Sequence, residues 1–105
     1  HGNALTKLDV AGLTGLRLLD CSFNELTKLP LGGLVDLEAL DADNNRLTSL
    51  DVRQLHALRV LNCANNRLKR LDVSKLGRLQ ILDCSGNQIP AINVDGCTAI
   101  RDAKT

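Results

Sequence analysis

Four cysteines and two histidines are the residues of this 105-residue chain that could bind a metal, form disulfides or pair as a nucleophile with its base. Their spacing favours none of these. No C-x-x-C pair occurs, and no histidine partner accompanies the cysteines. We therefore expect free, buried thiols that act as small hydrophobic residues, and we expect no metal, cofactor or catalytic residue. These thiols are Cys21, Cys63, Cys84 and Cys97.

A row of acidic residues could supply a second kind of chemistry. Asp20, Asp41 and Asp83 recur in one frame, and Asn62 takes the same position between the last two. Like charges on neighbouring strands repel each other, so the row could mark a Ca²⁺ site or a basic partner. A solvated residue inherited with a repeat explains the row with fewer assumptions, and we predict no bound metal there. A melting temperature raised by Ca²⁺ would contradict that prediction.

The element that must position these residues is a 21-residue repeat, and the chain length is five times 21. Copies of the template L-x-x-L-x-(C/A)-x-x-N-x-(L/I) begin at Leu16, Leu37, Leu58 and Leu79. Aromatic residues make up only 1% of the chain, so the core must be aliphatic. A unit this short cannot bury its own apolar stripe, so successive copies must stack. We expect one domain over residues 1–105. It would be uncapped and cut within a repeat at both ends, which predicts a piece of a longer solenoid or end-to-end self-association.

Each copy is expected to contribute one short strand to a parallel sheet. Residues alternate along the strand, so Leu19 and Cys21 point inward while Leu18 and Asp20 point outward. The returning segment is glycine-rich and too short for a long α-helix. For that segment we predict extended or 3₁₀-like backbone, or a small second strand at residues 51–52 and their equivalents.

One asparagine follows the strand in every copy. Its side chain carries both a donor and an acceptor, so an inward asparagine can satisfy turn backbone groups that burial would leave unpaired. We predict this structural role for Asn24, Asn45, Asn66 and Asn87, and Asn3 continues the series backwards.

These features resemble the leucine-rich repeats. The 21-residue period, the Leu-Asp-Val motif and the cysteines in place of a core leucine at Cys21, Cys63 and Cys84 are similar to bacterial internalin-type repeats with a cysteine ladder. The acidic row also resembles the usual Leu-Asp-Cys-Ser stretch of that family. The resemblance implies an α/β-type but mostly β solenoid, a right-handed superhelix with a parallel sheet on its concave face. It also implies adhesion, host interaction or virulence for a secreted or cell-surface protein.

The outward strand residues are the default binding surface of such a solenoid. One outward row is apolar and the next is mostly acidic, with Ser22, Asp43, Ala64 and Ser85 flanking the acidic one. Arginines and the only aromatic residue are the best anchors, because such side chains dominate interface energetics. That aromatic residue, Phe23, could instead fold over the first open rung. The predicted binding residues are Arg17, Leu18, Asp20, Phe23, Asp41, Arg46, Arg59, Val60, Asn62, Arg67, Ile81 and Asp83.

The overall charge limits the kind of partner. A net charge of +1 gives no long-range attraction to nucleic acid or anionic lipid. No apolar run approaches the roughly 18 residues of a membrane span. Basic residues gather on the predicted convex side, where a solvated surface is the simplest explanation and where polyanion binding would show a steep salt dependence. We expect a protein partner, no nucleic acid and no membrane insertion.

The leading hypothesis is a non-enzymatic protein-recognition module at a cell surface or outside the cell, with a cytoplasmic location still open. Exposed positions differ between copies while buried positions do not, and this favours recognition over a structural spacer or designed solenoid. A third hypothesis is the substrate-recognition segment of an effector whose catalytic domain lies outside this chain.

Overall fold

The computed structural model describes Leu13, residues 15–92 and residues 94–105. Five short strands follow one another at 21-residue intervals: β1 (Leu18–Asp20), β2 (Ala39–Asp41), β3 (Val60–Asn62), β4 (Ile81–Asp83) and β5 (Asp102–Lys104).

The strands form a single parallel sheet in the order β1-β2-β3-β4-β5. Leu19 lies opposite Leu40, which lies opposite Leu61, so equivalent residues of successive repeats are direct neighbours. Backbone hydrogen bonds continue the ladder past the strand ends, as where the Cys21 N–H donates to the Asp41 carbonyl at 2.8 Å. The parallel solenoid and its 21-residue frame, both predicted from the sequence, are confirmed.

Stacked leucines fill the interior. The largest fully buried side chains of the described residues are all leucines, at Leu26, Leu34, Leu37, Leu40, Leu47, Leu55, Leu58, Leu61, Leu68, Leu76, Leu79 and Leu82. Burial of each contributes roughly 2 kcal/mol of transfer free energy. Because each leucine packs against its equivalents 21 residues away, a change at one rung disturbs two neighbouring repeats.

The return segment on the side opposite the sheet, the convex side, consists of consecutive turns. The Leu55 N–H donates to the Val52 carbonyl at 3.1 Å, and the Leu58 N–H donates to the Leu55 carbonyl at 3.0 Å. These i to i+3 bonds are of the 3₁₀ type. The predicted second strand at residues 51–52 is wrong, since the part of the chain that the structure describes has only the five strands above. Asp51 accepts the Arg53 N–H at 3.2 Å, which turns the backbone where a strand would need it extended.

The fifth strand, β5, is the most solvent-exposed strand of the sheet. All three of its residues are exposed, including Ala103, which lies opposite the inward Leu82. β5 is the last strand of the sheet in the described residues and pairs only with β4, so its other edge is exposed. The predicted asparagine rung position Asn3 and the apolar positions before Leu13 lie outside the described residues. Within the ranges described, no helix is long and apolar enough to cross a membrane.

Candidate functional site

The outward residues of the strands form three rows that run across the sheet, and we call this surface the sheet face. Strand register defines an apolar row of Leu18, Ala39, Val60 and Ile81. It also defines an acidic row of Asp20, Asp41, Asn62 and Asp83. On β5 both rows end in a different kind of residue, since Asp102 lies opposite Ile81 and Lys104 lies opposite Asp83. The residues just before the strands form the arginine row: Arg17, Glu38, Arg59, Gln80 and Arg101. Members of a row are neighbours at the spacing of paired strands, about 4.8 Å.

The apolar row is accessible along its whole length. Leu18 is 70% exposed. The other three members are half-buried, because each lies between two neighbouring strands. A continuous strip of accessible aliphatic surface between two charged rows can release water when another apolar surface covers it.

The acidic row has a structural use that the sequence reasoning missed. The Asp20 Oδ1 atom accepts the Ser22 N–H at 3.0 Å and the Ser22 hydroxyl at 2.6 Å. Asn62 accepts the Ala64 N–H at 3.2 Å, and the fourth strand repeats the aspartate–serine arrangement. These hydrogen bonds hold the pKa of Asp20 below its ordinary value. The turn draws Ser22 and Ala64 inward, so the prediction that they lie on the outward surface is wrong.

Asp41 is electrostatically different from its neighbours in the row. Burial raises the pKa of Asp41 to about 6, assisted by the neighbouring Asp43 carboxyl, to which only a protonated Asp41 can donate, and by the charges of Asp43 and Asp20. The buried Oδ1 atom of Asp43 has no hydrogen-bond partner, and a proton on Asp41 would supply one. Asp43 Oδ2 accepts the side-chain amide of Asn44 at 2.6 Å. Among the described residues, no group of three or more His, Cys, Asp or Glu side chains could hold a metal ion.

The arginine row contains a charge that bridges two others. The Arg17 Nε donates to Glu38 Oε2 at 2.6 Å, and Arg59 approaches the other oxygen of the same carboxylate at 4.0 Å. Glu38 is therefore flanked on both sides and its side chain is only 28% exposed, while that of Arg59 is 55% exposed. The predicted binding residues did not include Glu38, although the 21-residue frame places it between the two arginines.

Phe23 occupies an unusual backbone position. Its φ is +56°, and its equivalents Asn44, Asn65 and Gly86 have φ of +57°, +57° and +71°. Asparagine and glycine adopt this left-handed region readily, whereas a phenylalanine there is strained. The Phe23 side chain remains 49% exposed, so it is accessible at the edge of the sheet face.

Arg46 and Arg67 lie beyond this turn and are exposed. Arg46 forms an ion pair with Glu25 of the preceding repeat at 3.3 Å. Neither arginine belongs to the three rows, so the structure places both at a margin of the predicted surface.

The asparagines that follow the strands form a ladder, which is buried at Asn24, Asn45 and Asn66 and half-buried at Asn87. The Asn45 amide donates to the carbonyls of Ala42 in its own turn and Cys21 in the preceding turn, at 3.1 and 3.0 Å. Its Oδ1 atom accepts the Leu26 N–H at 3.0 Å. Asn66 and Asn87 repeat the pattern, so each side chain joins two repeats.

The cysteines are free and buried. Burial raises the pKa of Cys63 to about 12 and that of Cys21 to about 11, and the pKa values of Cys84 and Cys97 are raised for the same main reason. Cys97 donates its thiol hydrogen to the Val73 carbonyl at 3.0 Å. Thiols in such surroundings are neutral and act as core residues.

Stacked 21-residue turns with inward leucines, an asparagine ladder and buried cysteines define a leucine-rich repeat solenoid. A family model of leucine-rich repeats in two copies matches residues 56–96. The functional domain of InlJ from Listeria monocytogenes, which includes a cysteine ladder, is similar with a TM-score of 0.92 and 37% identity. That match covers 94% of this chain and 22% of the InlJ chain. A leucine-rich repeat protein of Leptospira interrogans is similar with a TM-score of 0.83 and 29% identity, over 97% of this chain and 29% of that one.

The chain is therefore a leucine-rich repeat protein whose repeats are similar to the cysteine-ladder repeats of an internalin. It spans less than a third of the length of either similar structure. No curated protein sequence matches it.

Proposed function

We propose that the chain is a protein-recognition segment that binds its partner through the sheet face, as part of a bacterial secreted or surface protein. The observation that carries the proposal is the contrast between the two sides of each strand. Inward positions repeat leucine and cysteine or alanine, whereas the outward apolar row changes side-chain size from repeat to repeat and the row just before the strands alternates between Arg17, Glu38, Arg59 and Gln80. Stacking alone places no such demand on outward positions, so they are free to encode a partner.

The surface chemistry of the sheet face supports recognition of a protein. An accessible apolar row lies between rows of opposite charge, an arrangement that combines desolvation with electrostatic register. The likeness to cysteine-ladder repeats of an internalin supports a location at or outside the cell surface.

The proposal can be tested with an unbiased library of displayed random peptides, panned against the chain. The test variant carries Phe23→Asn, Arg59→Gln and Arg67→Gln, and each new residue is one that the same row uses in another repeat. The control variant carries Lys69→Gln, Arg70→Gln and Lys75→Gln on the convex side. We expect selected peptides to lose about tenfold in affinity for the test variant and to bind the control unchanged. Peptides that bind the test variant as well as the original chain would refute the proposal.

A further inference from the structure

The sheet face separates its charges into two bands with the apolar row between them. On one side of the apolar row, Arg17 and Arg59 flank a single acid, Glu38, and Arg101 follows Gln80 at the end of the same row. Arg78 lies in the same shallow groove and adds a fourth cation. On the other side lies the acidic row of Asp20, Asp41, Asn62 and Asp83, with Asp43 next to it, and Lys104 of β5 ends the row. A complementary partner would therefore carry negative charges on the flank over the arginine row and positive charges on the flank over the acidic row.

The spacing of the bands indicates the shape of that partner. Arg17 directly precedes β1 and Asp20 is its last residue, so the backbones of the two charged rows are at most about 10 Å apart at 3.3 Å per residue. An α-helix with its side chains is about 10–12 Å across, so a helix lying over the apolar row would reach both charged rows at once.

The spacing along the rows agrees with a helix as well. The apolar row repeats at about 4.8 Å, close to the 5.4 Å pitch at which a helix presents an apolar stripe. An extended peptide presents side chains of one face every 6.6 Å or so, and its narrow backbone would reach only one charged row. From Leu18 to Ile81 the apolar row covers about 14 Å, the length of roughly ten helical residues.

We propose that the sheet face binds an amphipathic α-helix of a partner protein, laid across the strands with its apolar stripe on the apolar row. The helix has Lys or Arg on the flank over the acidic row and Asp or Glu on the flank over the arginine row. This inference rests on the proposed function and specifies the partner of the same surface.

A displayed library of helical 15-residue peptides tests the inference. Every member carries leucines along one stripe, and both flanks are randomised among Lys, Glu, Ser and Gln. We expect selection on the chain to enrich helices with cations on one flank and anions on the other. A helix of the same composition with the charges mixed on both flanks is expected to bind about tenfold more weakly.

Two charge-neutralised variants assign the flanks. The first variant carries Arg17→Gln and Arg59→Gln, and glutamine already occurs in the same row at Gln80. The second variant carries Asp20→Asn and Asp83→Asn, and asparagine already occurs in that row at Asn62, which forms the same turn. Each pair is expected to weaken the selected helix about tenfold, while Lys69→Gln with Arg70→Gln on the convex side leaves its affinity unchanged. Selected helices with the same charge on both flanks, or equal binding by the neutralised variants, would overturn the inference.

The two proposals fail separately. If random peptides bind the sheet face while the helical library gives no charge-separated binders, the helix is wrong and the recognition surface stands. Self-association of the chain through the sheet face, seen as a dimer mass that the aspartate variants abolish, would also overturn the helix. If neither library yields binders that depend on the sheet face, both proposals fall.

Discussion

Replacing Asn66 by alanine is expected to destabilise the fold far more than its single side chain suggests. The Asn66 amide donates to the carbonyls of Ala42 and Cys63 at 3.0 Å, and its Oδ1 atom accepts the Leu47 N–H at 3.0 Å. The side chain is buried, so water cannot replace these contacts without entering the core.

The magnitude follows from which groups keep another partner. The Ala42 carbonyl still accepts from Asn45, and the Cys63 carbonyl still accepts from Asn87. Losing each of these two hydrogen bonds is expected to cost about 0.5 kcal/mol, the lower end of the net contribution of a hydrogen bond, because each carbonyl keeps another donor. The Leu47 N–H has no other hydrogen bond in the described residues, and leaving it unpaired adds about 2 kcal/mol. The sum is about 3 kcal/mol, or a melting temperature lowered by roughly 12–20 °C in a domain of this size.

Urea unfolding followed by circular dichroism measures this change. Asn66→Asp keeps the acceptor for the Leu47 N–H but buries a carboxylate against two carbonyls, so it is expected to cost at least as much as alanine. The matched control is Asn65→Gly at the adjacent exposed position, where the left-handed backbone of φ +57° suits glycine and the change is expected to stay within about 0.5 kcal/mol. A loss below about 1 kcal/mol for Asn66→Ala would refute the reasoning that the ladder joins the repeats.

Four further predictions concern local features. Phe23→Asn is expected to raise the free energy of unfolding by about 1 kcal/mol, because asparagine tolerates a φ of +56° better than phenylalanine. If urea unfolding gives a lower free energy of unfolding for this variant, packing of the phenylalanine ring outweighs its backbone strain. Asp41→Asn is expected to stabilise the fold by about 1 kcal/mol above pH 6, after allowance for solvent screening, since the raised pKa of Asp41 means that its ionised form is disfavoured in the fold. That gain is expected to vanish as the pH falls below about 4, where Asp41 is protonated in both the folded and the unfolded state. Thermal melts of both proteins across this pH range measure the gain, and a gain that does not change with pH would contradict the prediction. Gly96→Ala is expected to lower the melting temperature through a loss of about 2 kcal/mol, because a Cβ atom there would clash with the Ser74 carbonyl oxygen; an unchanged melting temperature would mean that the turn yields without cost. The four thiols are expected to resist a thiol-reactive probe at pH 8 until the chain unfolds, and rapid labelling of the native protein would show that burial does not protect them.

The repeat frame could be read from the sequence because stacking requires it. Every buried rung needs an apolar or amide side chain in the same place, so inward leucines and asparagines recur visibly at 21 residues. The same frame placed Leu18 and Asp20 on the outward side, where the structure has them.

Features set by local backbone geometry could not be read in this way. The turns at Asp20 and Asn62 bury Ser22 and Ala64, against the simple alternation of a strand. The raised pKa of Asp41 depends on how closely its carboxyl meets that of Asp43, which no spacing in the sequence specifies.

In the acidic row, the fold requires a hydrogen-bond acceptor at each position and does not require a negative charge. Asn62 shows that an amide oxygen is sufficient for the turn after the strand, because it accepts the Ala64 N–H as the aspartates accept theirs. The negative charges of Asp20 and Asp41 are therefore not required by the turn, and on neighbouring strands they repel each other. The hydrogen bonds from Ser22 offset part of this cost at Asp20, whose pKa they lower, whereas the raised pKa of Asp41 shows that its charge is disfavoured by the fold. The arginine row on the other side of the apolar row carries the opposite charge. Charge that stacking and turns do not use remains available for a partner, and it lies beside the most accessible apolar residues of the sheet.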